Sequence, residues 1–234
     1  MKFKTKVVRK RILNEKIIEI CLEKPENFEF KPGQWITLKL LGLEENVEGG
    51  NKRAFSIASS PLDKEICLII ERGISPYKRY LEEKLSVNEE VEILGPFGNL
   101  IFDENAEISI FLAAGSGIAP ILSMIRYSIQ KNLRNSLYLF YSEKYFKFLV
   151  YFEELLEYSK SNKLNLIVTL TQEKLENFEH GRINKDLILK YVAEEDLRKA
   201  IFYIVGSSEF VKNMLNILDE LKIEKSRIKT EGFG

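Results

Sequence analysis

The stretch "ISIFLAAGSGIAPILSMI", residues 108–125, marks a change in the organisation of the chain and carries no charged side chain. Its length just reaches that of a transmembrane helix. Gly115, Gly117 and Pro120 interrupt it near the middle, however, and Arg126 ends it. An apolar run that stops at paired glycines predicts a buried strand, a tight turn and the start of a helix. We therefore expect no membrane insertion.

Downstream of this stretch, apolar strands alternate with helical patterns to the end of the chain. The predicted strands are "EISIFLAA", "SLYLFYS", "LNLIVTLT", "AIFYIVG" and "RIKTEGF". The predicted helices cover residues 120–130, 146–159, 185–191 and 209–221. Near-continuous apolar strands separated by helices indicate a parallel sheet that is covered on both faces.

Upstream of it, the chain is a series of short segments rich in β-branched residues and separated by turn signals. The predicted strands are "FKTKVVRKRIL", "KIIEICLEK", "QWITLKLLG", "RAFSIAS", "EICLIIER" and "EVEILGP". Even spacing of this kind predicts an antiparallel barrel or sandwich. One helix is expected among them, with Ser75 as its N-cap and Pro76 as its first residue. The pattern changes from short strands to strands that alternate with helices in "IFDENAE", which predicts domains at residues 1–103 and 104–234.

Composition excludes several classes of function. Lysine plus arginine and aspartate plus glutamate number 35 each, so no overall field favours nucleic acid. The two cysteines, Cys21 and Cys67, are too few for an iron–sulfur cluster or a cysteine-based zinc site. We predict no metal site. Two cysteines that look like small strand hydrophobes are typical of a reducing compartment, which predicts a cytoplasmic protein.

Two glycine turns predict a nucleotide site in the second half. Gly115 and Gly117 let the backbone come close to a ligand, and the helix near Pro120 points free N–H groups at the same place. Proline at position 120 departs from the usual G-x-G-x-x-G pattern, and a tight turn without a ligand is the alternative. "YIVGSSEF" contains a second turn between a strand and a helix, with Gly206 and Ser207, although Ser207 or Ser208 is also explained as an N-cap. Two such turns on neighbouring strand ends would line one crevice.

Six motifs in order resemble those of the ferredoxin–NADP reductase superfamily of flavin-dependent oxidoreductases. They are "PGQW", "RAFSIASS", "GPFGNL", "AAGSGIAP", "YIVGSSEFVKNM" and "TEGFG", and together they run across nearly the whole chain. The resemblance implies a flavin-binding antiparallel β-barrel followed by a nucleotide-binding α/β domain with a parallel sheet. It also implies FAD, in preference to FMN, as the cofactor.

The resemblance assigns roles to residues around the flavin. Arg53 would pair with a phosphate, Phe55 would lie against the isoalloxazine ring, and Ser56 would hydrogen-bond near flavin N5. Ser59 would cap the turn or touch phosphate. The full set of implied flavin contacts is Arg53, Ala54, Phe55, Ser56, Ser59, Gly73, Ser75, Lys78 and Phe233.

The end of the chain and two departures from the family pattern complete this prediction. Phe233 would cover the flavin face that nicotinamide must reach, and Glu231 would hydrogen-bond toward Ser56 and relay protons, unless it belongs to a frayed tail. The expected catalytic residues are therefore Ser56 and Glu231. Phe55 replaces the family's usual tyrosine, and Val205 replaces a cysteine that many members carry near the reacting nicotinamide carbon.

The choice between NADPH and NADH stays open at this point. Ser142, Lys144 and Lys147 would hold a 2′-phosphate, whereas Glu143 would take the ribose hydroxyls instead. The expected coenzyme contacts are Gly115, Gly117, Pro120, Ser142, Lys144, Gly206 and Ser207.

The predicted function is hydride transfer from NAD(P)H to bound FAD, followed by electron transfer to a separate acceptor such as ferredoxin or flavodoxin. One alternative is a non-catalytic flavoprotein subunit that passes electrons within a larger complex. A free-flavin reductase, which would depend on added flavin, is the second alternative, and an uncharacterised binding module is the third.

Overall fold

A computed structural model describes residues 1–233. The chain forms two compact units. The first comprises Met1–Phe102 and Leu122–Tyr127, and the second comprises Asp103–Ile121 and the chain from Ser128 onward. The predicted functional boundary after residue 103 stays a prediction, and each unit is described by itself below.

The first unit is a six-stranded antiparallel sheet that nearly closes into a barrel. Its strands are Lys2–Ile12 (β1), Ile17–Glu23 (β2), Trp35–Leu40 (β3), Lys52–Ser56 (β4), Glu65–Glu71 (β5) and Glu90–Phe97 (β6). They are ordered β4-β3-β6-β1-β2-β5. A bridge between Ile57, just after β4, and Leu68 in β5 links the two edges of the sheet. The predicted antiparallel barrel is confirmed.

Alternation along the strands explains why this sheet curls around a core. In β2, β3 and β5, every second residue is apolar and buried in the barrel core, as a half-buried strand requires. The inward-facing residues on three of the strands are Ile18, Ile20, Leu22, Ile36, Leu38, Leu40, Ile66, Leu68 and Ile70. The helix Pro76–Arg79 (α1) begins as predicted, because the Ser75 hydroxyl accepts the Lys78 N–H, and one π-helical turn, Tyr80–Lys84, continues it.

The outward face of β2 and β5 holds a disulfide bond. Cys21 stands directly opposite Cys67 in the strand register, and the two sulfurs are bonded. The Arg9 side chain covers the pair, with its guanidinium 3.1 Å from Cys21 Sγ and 2.8 Å from a Glu65 carboxylate oxygen. The interpretation of the two cysteines as separate strand hydrophobes was therefore wrong, because pairing depends on register and not on distance along the chain. The cytoplasmic location stays a prediction.

The second unit is a six-stranded sheet in which every ladder is parallel. Its strands are Ile108–Ala114 (β7), Ser136–Glu143 (β8), Asn165–Leu170 (β9), Glu179–His180 (β10), Ile201–Ser207 (β11) and Ile228–Phe233 (β12). Their order is β10-β9-β8-β7-β11-β12, so β8 and β11 flank β7. The predicted parallel sheet is confirmed.

Five helices connect these strands: Ile118–Gln130 (α2), Phe152–Lys160 (α3), Lys185–Tyr191 (α4), Glu194–Lys199 (α5) and Ser208–Glu220 (α6). Leucines and isoleucines of α4, α5 and α6 pack with Ile110, Leu112, Phe140 and Phe202 on one face of the sheet. Phe111 and Tyr203, which alternate with those residues, stack on the other face with ring centres 5.2 Å apart. Side chains on both faces are buried, as in other parallel sheets.

The prediction of one helix over residues 146–159 was wrong. A 3-10 turn at Phe146–Phe148 is followed by Tyr151 in the left-handed region with φ of 57°, and α3 begins only at Phe152. A left-handed residue breaks the hydrogen-bond ladder, and a tyrosine there gives no sequence signal because glycine or asparagine usually takes such positions. Tyr145 and Phe146 are consequently more than one third exposed, not packed on the sheet.

The apolar stretch at residues 108–125 forms β7, a glycine turn and the start of α2, as predicted. Within residues 1–233, none of the helices reaches the length and apolar character that crossing a bilayer demands.

Candidate functional site

Three motifs that lie far apart along the chain meet in the barrel. β3 pairs with both β4 and β6, so Trp35 stands opposite Ser56 on one side and Phe97 on the other. The Trp35 and Phe97 rings lie 4.8 Å apart, and the Gln34 amide donates to Gly98 O at 3.3 Å. "PGQW", "RAFSIASS" and "GPFGNL" therefore lie side by side in one sheet.

Arg53 and two aromatic rings form a cluster next to these motifs. The Arg53 guanidinium lies 5.2 Å from the centre of the Tyr77 ring, and the Phe55 ring centre lies 6.1 Å from that of Tyr77. Arg53 also donates to the carbonyl oxygens of Gly49 and Lys52. The guanidinium is thus held in place by the protein, and both Arg53 and Phe55 are only partly buried. Such a cluster offers a cation and a flat apolar surface to the same ligand.

Tyr77 anchors this cluster to the barrel, and nothing in the sequence singled it out. Its hydroxyl donates to Leu38 O at 2.9 Å. Burial raises the pKa of the Tyr77 phenol well above its ordinary value, and the Arg53 guanidinium offsets part of that rise. The phenol is therefore neutral at physiological pH and serves as a fixed platform. The hydrogen bond joins Tyr77 to a residue 39 positions away in sequence, so the local sequence does not predict it.

The segment after β5 brings Gly73, Ser75 and Lys78 together. The Ser75 hydroxyl accepts the Lys78 N–H at 3.3 Å. The Lys78 side chain lies across Gly73, where an added Cβ would be 2.9 Å from Lys78 Cδ and 3.5 Å from its Nζ. The Lys78 ammonium therefore lies beside the Gly73 backbone, where it offers a positive charge to a ligand.

The other predicted residues of "RAFSIASS" are placed differently. Ala54 is exposed and Ser56 is buried. Ser59 is also buried: its hydroxyl accepts the Cys67 N–H at 2.9 Å, and its carbonyl accepts the Ser123 hydroxyl at 2.7 Å. The Ser59 hydroxyl is thus engaged within the fold, and we leave it out of the proposed ligand contacts.

The two glycine turns of the second unit touch each other at the carboxyl edge of the sheet. β7 and β11 are neighbours, with Ala113 opposite Val205. A Cβ on Gly117 would lie 2.5 Å from Val205 O and 2.9 Å from Gly206 N, so only glycine allows this approach. The two turns therefore form one concave backbone surface, the kind of surface that binds a pyrophosphate.

Two further predicted contacts of this region have clear structural roles. Pro120 is buried in the first turn of α2, where the missing N–H costs no helical hydrogen bond. Ser207 is the N-cap of α6, and its hydroxyl accepts the Phe210 N–H at 3.2 Å. A ligand at this edge would therefore meet backbone groups of the turns and not the Pro120 ring.

The end of β8 carries the residues expected to choose the coenzyme. Ser142 is buried, whereas Lys144 is exposed. The Glu143 carboxylate faces the first glycine turn: its Oε1 would lie 3.7 Å from a Cβ on Gly115, which has a φ of 58°. Within residues 1–233, and apart from the chain neighbours of Gly115, no other heavy atom lies within 4 Å of that position, so the space over Gly115 is otherwise open.

β12 places the two predicted C-terminal site residues at the same edge. Glu231 stands opposite Val205 in the parallel register, and Phe233 stands opposite Ser207. Both side chains are partly buried. Glu231 therefore lies in a regular strand, so the alternative of a frayed tail does not hold.

Sequence comparison identifies part of this chain. Residues 111–215 match the family model of the oxidoreductase NAD-binding domain. The reductase component of propane 2-monooxygenase from Rhodococcus jostii (strain RHA1) is 26% identical over 243 residues, which cover 98% of this chain and 63% of that protein. The chain thus spans less than two thirds of the length of this relative.

Two solved structures share the fold of this chain. One is the FAD/NAD-binding domain of nitric oxide dioxygenase from Vibrio cholerae O1 biovar El Tor, with a TM-score of 0.84, 19% identity, and coverage of 99% of this chain and 98% of that one. The other is a ferredoxin NADP⁺ reductase from Neisseria gonorrhoeae with bound FAD and NADP, with a TM-score of 0.83, 18% identity, and the same coverage of both chains. At these identities the likeness establishes the fold.

Proposed function

We propose that this chain is an NAD(P)H-dependent flavoprotein reductase of the ferredoxin–NADP reductase superfamily, because residues 111–215 match the oxidoreductase NAD-binding domain and the whole chain shares the fold of FAD- and NAD(P)-binding proteins. It takes hydride from a reduced nicotinamide and passes electrons to a separate acceptor. The barrel holds the flavin, and the parallel-sheet unit holds the coenzyme.

The observation that carries the proposal is the contact between the two glycine turns. Gly117 follows β7, and Gly206 lies in β11, the neighbouring parallel strand. A Cβ on Gly117 would lie 2.9 Å from Gly206 N, and a Cβ on Gly206 would lie 2.7 Å from the Phe210 ring, so neither position has room for one. The N-terminal end of α2 follows the first of these turns directly, and the positive end of its helix dipole favours an anion there. We assign the coenzyme pyrophosphate to this surface.

Residues of the barrel fit a flavin nucleotide. Arg53 is the donor to a phosphate oxygen, and Lys78 supplies a second positive charge beside Ser75. Phe55 offers its partly exposed ring to the isoalloxazine. Ser56 ends the same strand opposite Trp35, and we propose it as the residue near flavin N5.

A bound flavin would supply the redox chemistry, by accepting hydride from the nicotinamide and releasing electrons one at a time. The residues of this chain contribute position and charge. Glu231 and Phe233 extend the coenzyme edge beside β11. We propose that Phe233 offers an aromatic ring, and Glu231 a carboxylate that relays protons, to the ligands bound at this edge. Val205 adds a buried apolar side chain at the edge where many relatives have cysteine.

The acceptor lies outside these 234 residues. An iron–sulfur cluster needs about four ligands, and the two cysteines present are joined in a disulfide. The relative from Rhodococcus jostii is a monooxygenase reductase component, and the Neisseria protein is a ferredoxin reductase. Those names support a protein acceptor, and we propose a ferredoxin or a flavodoxin.

The test begins with the purified chain loaded with FAD. Its visible spectrum is recorded, and NADH or NADPH is then added under anaerobic conditions. We expect bound flavin after gel filtration and loss of its absorption band with at least one coenzyme. Subsequent addition of an oxidised one-electron dye should restore the band.

Different outcomes separate the alternatives. A chain that binds neither FAD nor FMN contradicts the proposal. Retained flavin that neither coenzyme reduces indicates a non-catalytic electron-transfer subunit. Turnover that requires added flavin and ceases after its removal indicates a free-flavin reductase.

A further inference from the structure

The orientation of Glu143 bears on which nicotinamide coenzyme this site accepts. Glu143 is the last residue of β8, the strand next to β7. Its Oε1 faces the glycine turn, and its Oε2 accepts the Lys144 N–H at 2.9 Å. The carboxylate is therefore held beside Gly115 by its own backbone, at the strand end adjoining the coenzyme surface.

A carboxylate at this place distinguishes between the two coenzymes. In parallel sheets with a glycine turn after one strand, an acidic residue beyond the turn accepts hydrogen bonds from the ribose hydroxyls of NADH. NADPH carries a phosphate on one of those hydroxyls, so it loses the hydrogen bond and adds a negative charge beside Glu143. The electrostatic repulsion and the lost hydrogen bond both weaken the binding of NADPH.

The nearby lysines do not reverse the preference for NADH that Glu143 would give. Lys147 extends over the Phe148 ring, with its ammonium 5.0 Å from the ring centre. The Phe146 N–H is capped by the Glu173 carboxylate at 2.7 Å, which places a second negative charge after β8. Lys144 is exposed, and its carbonyl accepts the Gln172 N–H, so its backbone is tied to the segment after β9. Among these charged side chains, Glu143 is the one that the structure places within 4 Å of the Gly115 position.

We propose that Glu143 makes the coenzyme site select NADH over NADPH by accepting hydrogen bonds from the adenosine ribose. This inference rests on the proposed coenzyme site at the glycine turns. It concerns the unphosphorylated ribose alone, so it is testable without flavin chemistry.

The experiment compares ADP-ribose with 2′-phospho-ADP-ribose by titration calorimetry on the full FAD-loaded chain. Both probes lack nicotinamide, and they differ by one phosphate group. We expect ADP-ribose to bind at least about tenfold more tightly, since one charge-assisted hydrogen bond is worth about that factor. Glu143→Gln keeps the shape but removes the charge, and it should reduce this ratio about tenfold. Glu157→Gln, an exposed glutamate of α3, is the matched control and should leave the ratio unchanged.

Steady-state rates with NADH and NADPH provide the second readout and separate the two proposals. Tighter binding of ADP-ribose without flavin reduction by NADH supports the role of Glu143 and contradicts the proposed reductase. Equal or tighter binding of the phosphorylated probe, or a ratio that Glu143→Gln does not change, overturns the inference even if the enzyme turns over. Failure of both probes to bind overturns it as well, together with the coenzyme site.

Discussion

Arg53 is held by the protein before any ligand is present. Its guanidinium donates to two carbonyl oxygens of the segment before it and lies over the ring of Tyr77. A long side chain fixed in this way loses little conformational entropy when it meets a phosphate, so more of its interaction energy appears as affinity. In the proposed flavin site, we therefore expect the position of this one cation to matter more for flavin retention than the overall charge, which is balanced.

We expect Arg53→Ala to weaken FAD binding by about 10- to 100-fold, because a charge-assisted hydrogen bond to phosphate contributes about 1.5–3 kcal/mol. Equilibrium dialysis of the apoprotein against FAD measures this directly. Arg134→Ala, which removes an exposed arginine from the second unit, serves as the control and should bind FAD normally. An unchanged dissociation constant for Arg53→Ala would remove this residue from the proposed site.

The sequence predicted the glycine turns but not the orientation of the Glu143 carboxylate. Paired glycines after an apolar strand indicate a close backbone approach, and Gly117 makes such an approach to Val205. Glu143 was recognised only as one candidate beside Lys144 and Lys147. Its orientation toward Gly115 depends on a side-chain rotamer, and residue types do not encode that choice locally.

At the scale of the secondary-structure elements, β2 and β5 are joined by both a strand ladder and a disulfide bond. Their ladder is seven residues long, and the Cys21–Cys67 bond closes a loop with a sequence separation of 46. Beside this bond, the buried Glu19 carboxylate pairs with Arg9 at 3.3 Å and with Arg11 at 2.5 Å. The outer face of this strand pair is thus closed by covalent and ionic contacts, whereas its inner face is apolar.

Reduction of the disulfide should lower the free energy of unfolding of the first unit by about 2–4 kcal/mol, as expected for a closed loop of this length. Urea unfolding with and without a phosphine reductant measures the change. A double variant, Cys21→Ala with Cys67→Ala, should be insensitive to the reductant. Identical unfolding midpoints for the oxidised and reduced wild-type protein would show that the bond contributes nothing to stability.

Several elements could be predicted from sequence and others could not, for reasons visible in particular residues. Alternating apolar residues indicated the barrel strands, and Ser75 followed by Pro76 indicated the start of α1. The pairing of Cys21 with Cys67 is a matter of register between strands, which no local pattern reveals. Tyr151 adopts a left-handed conformation because of its surroundings, and so the helix expected from residue 146 begins at Phe152.

At the scale of the whole molecule, both units bury tyrosines whose ionisation is unfavourable. Burial raises the pKa values of Tyr77, Tyr141 and Tyr203 well above that of a free phenol, and the Glu143 carboxylate adds to the effect at Tyr141. Burial and a 2.7 Å hydrogen bond to the Glu89 carboxylate raise the pKa of Tyr80 to about 12. In the unfolded chain each of these phenols ionises near pH 10.

The fold should therefore lose stability in alkaline solution. A folded-state pKa above the unfolded value gives stability that is complete below about pH 10 and declines as the pH rises toward the folded values, because only the unfolded chain releases its phenolic protons in that window. We expect urea unfolding to give equal free energies at about pH 7 and pH 9 and a smaller one at about pH 11. Tyr80→Phe should make this decline smaller, because it removes one of these four tyrosines whose pKa is higher in the folded protein than in the unfolded chain. An unfolding midpoint that stays constant up to about pH 11 would contradict the expected coupling between these buried phenols and the folded state.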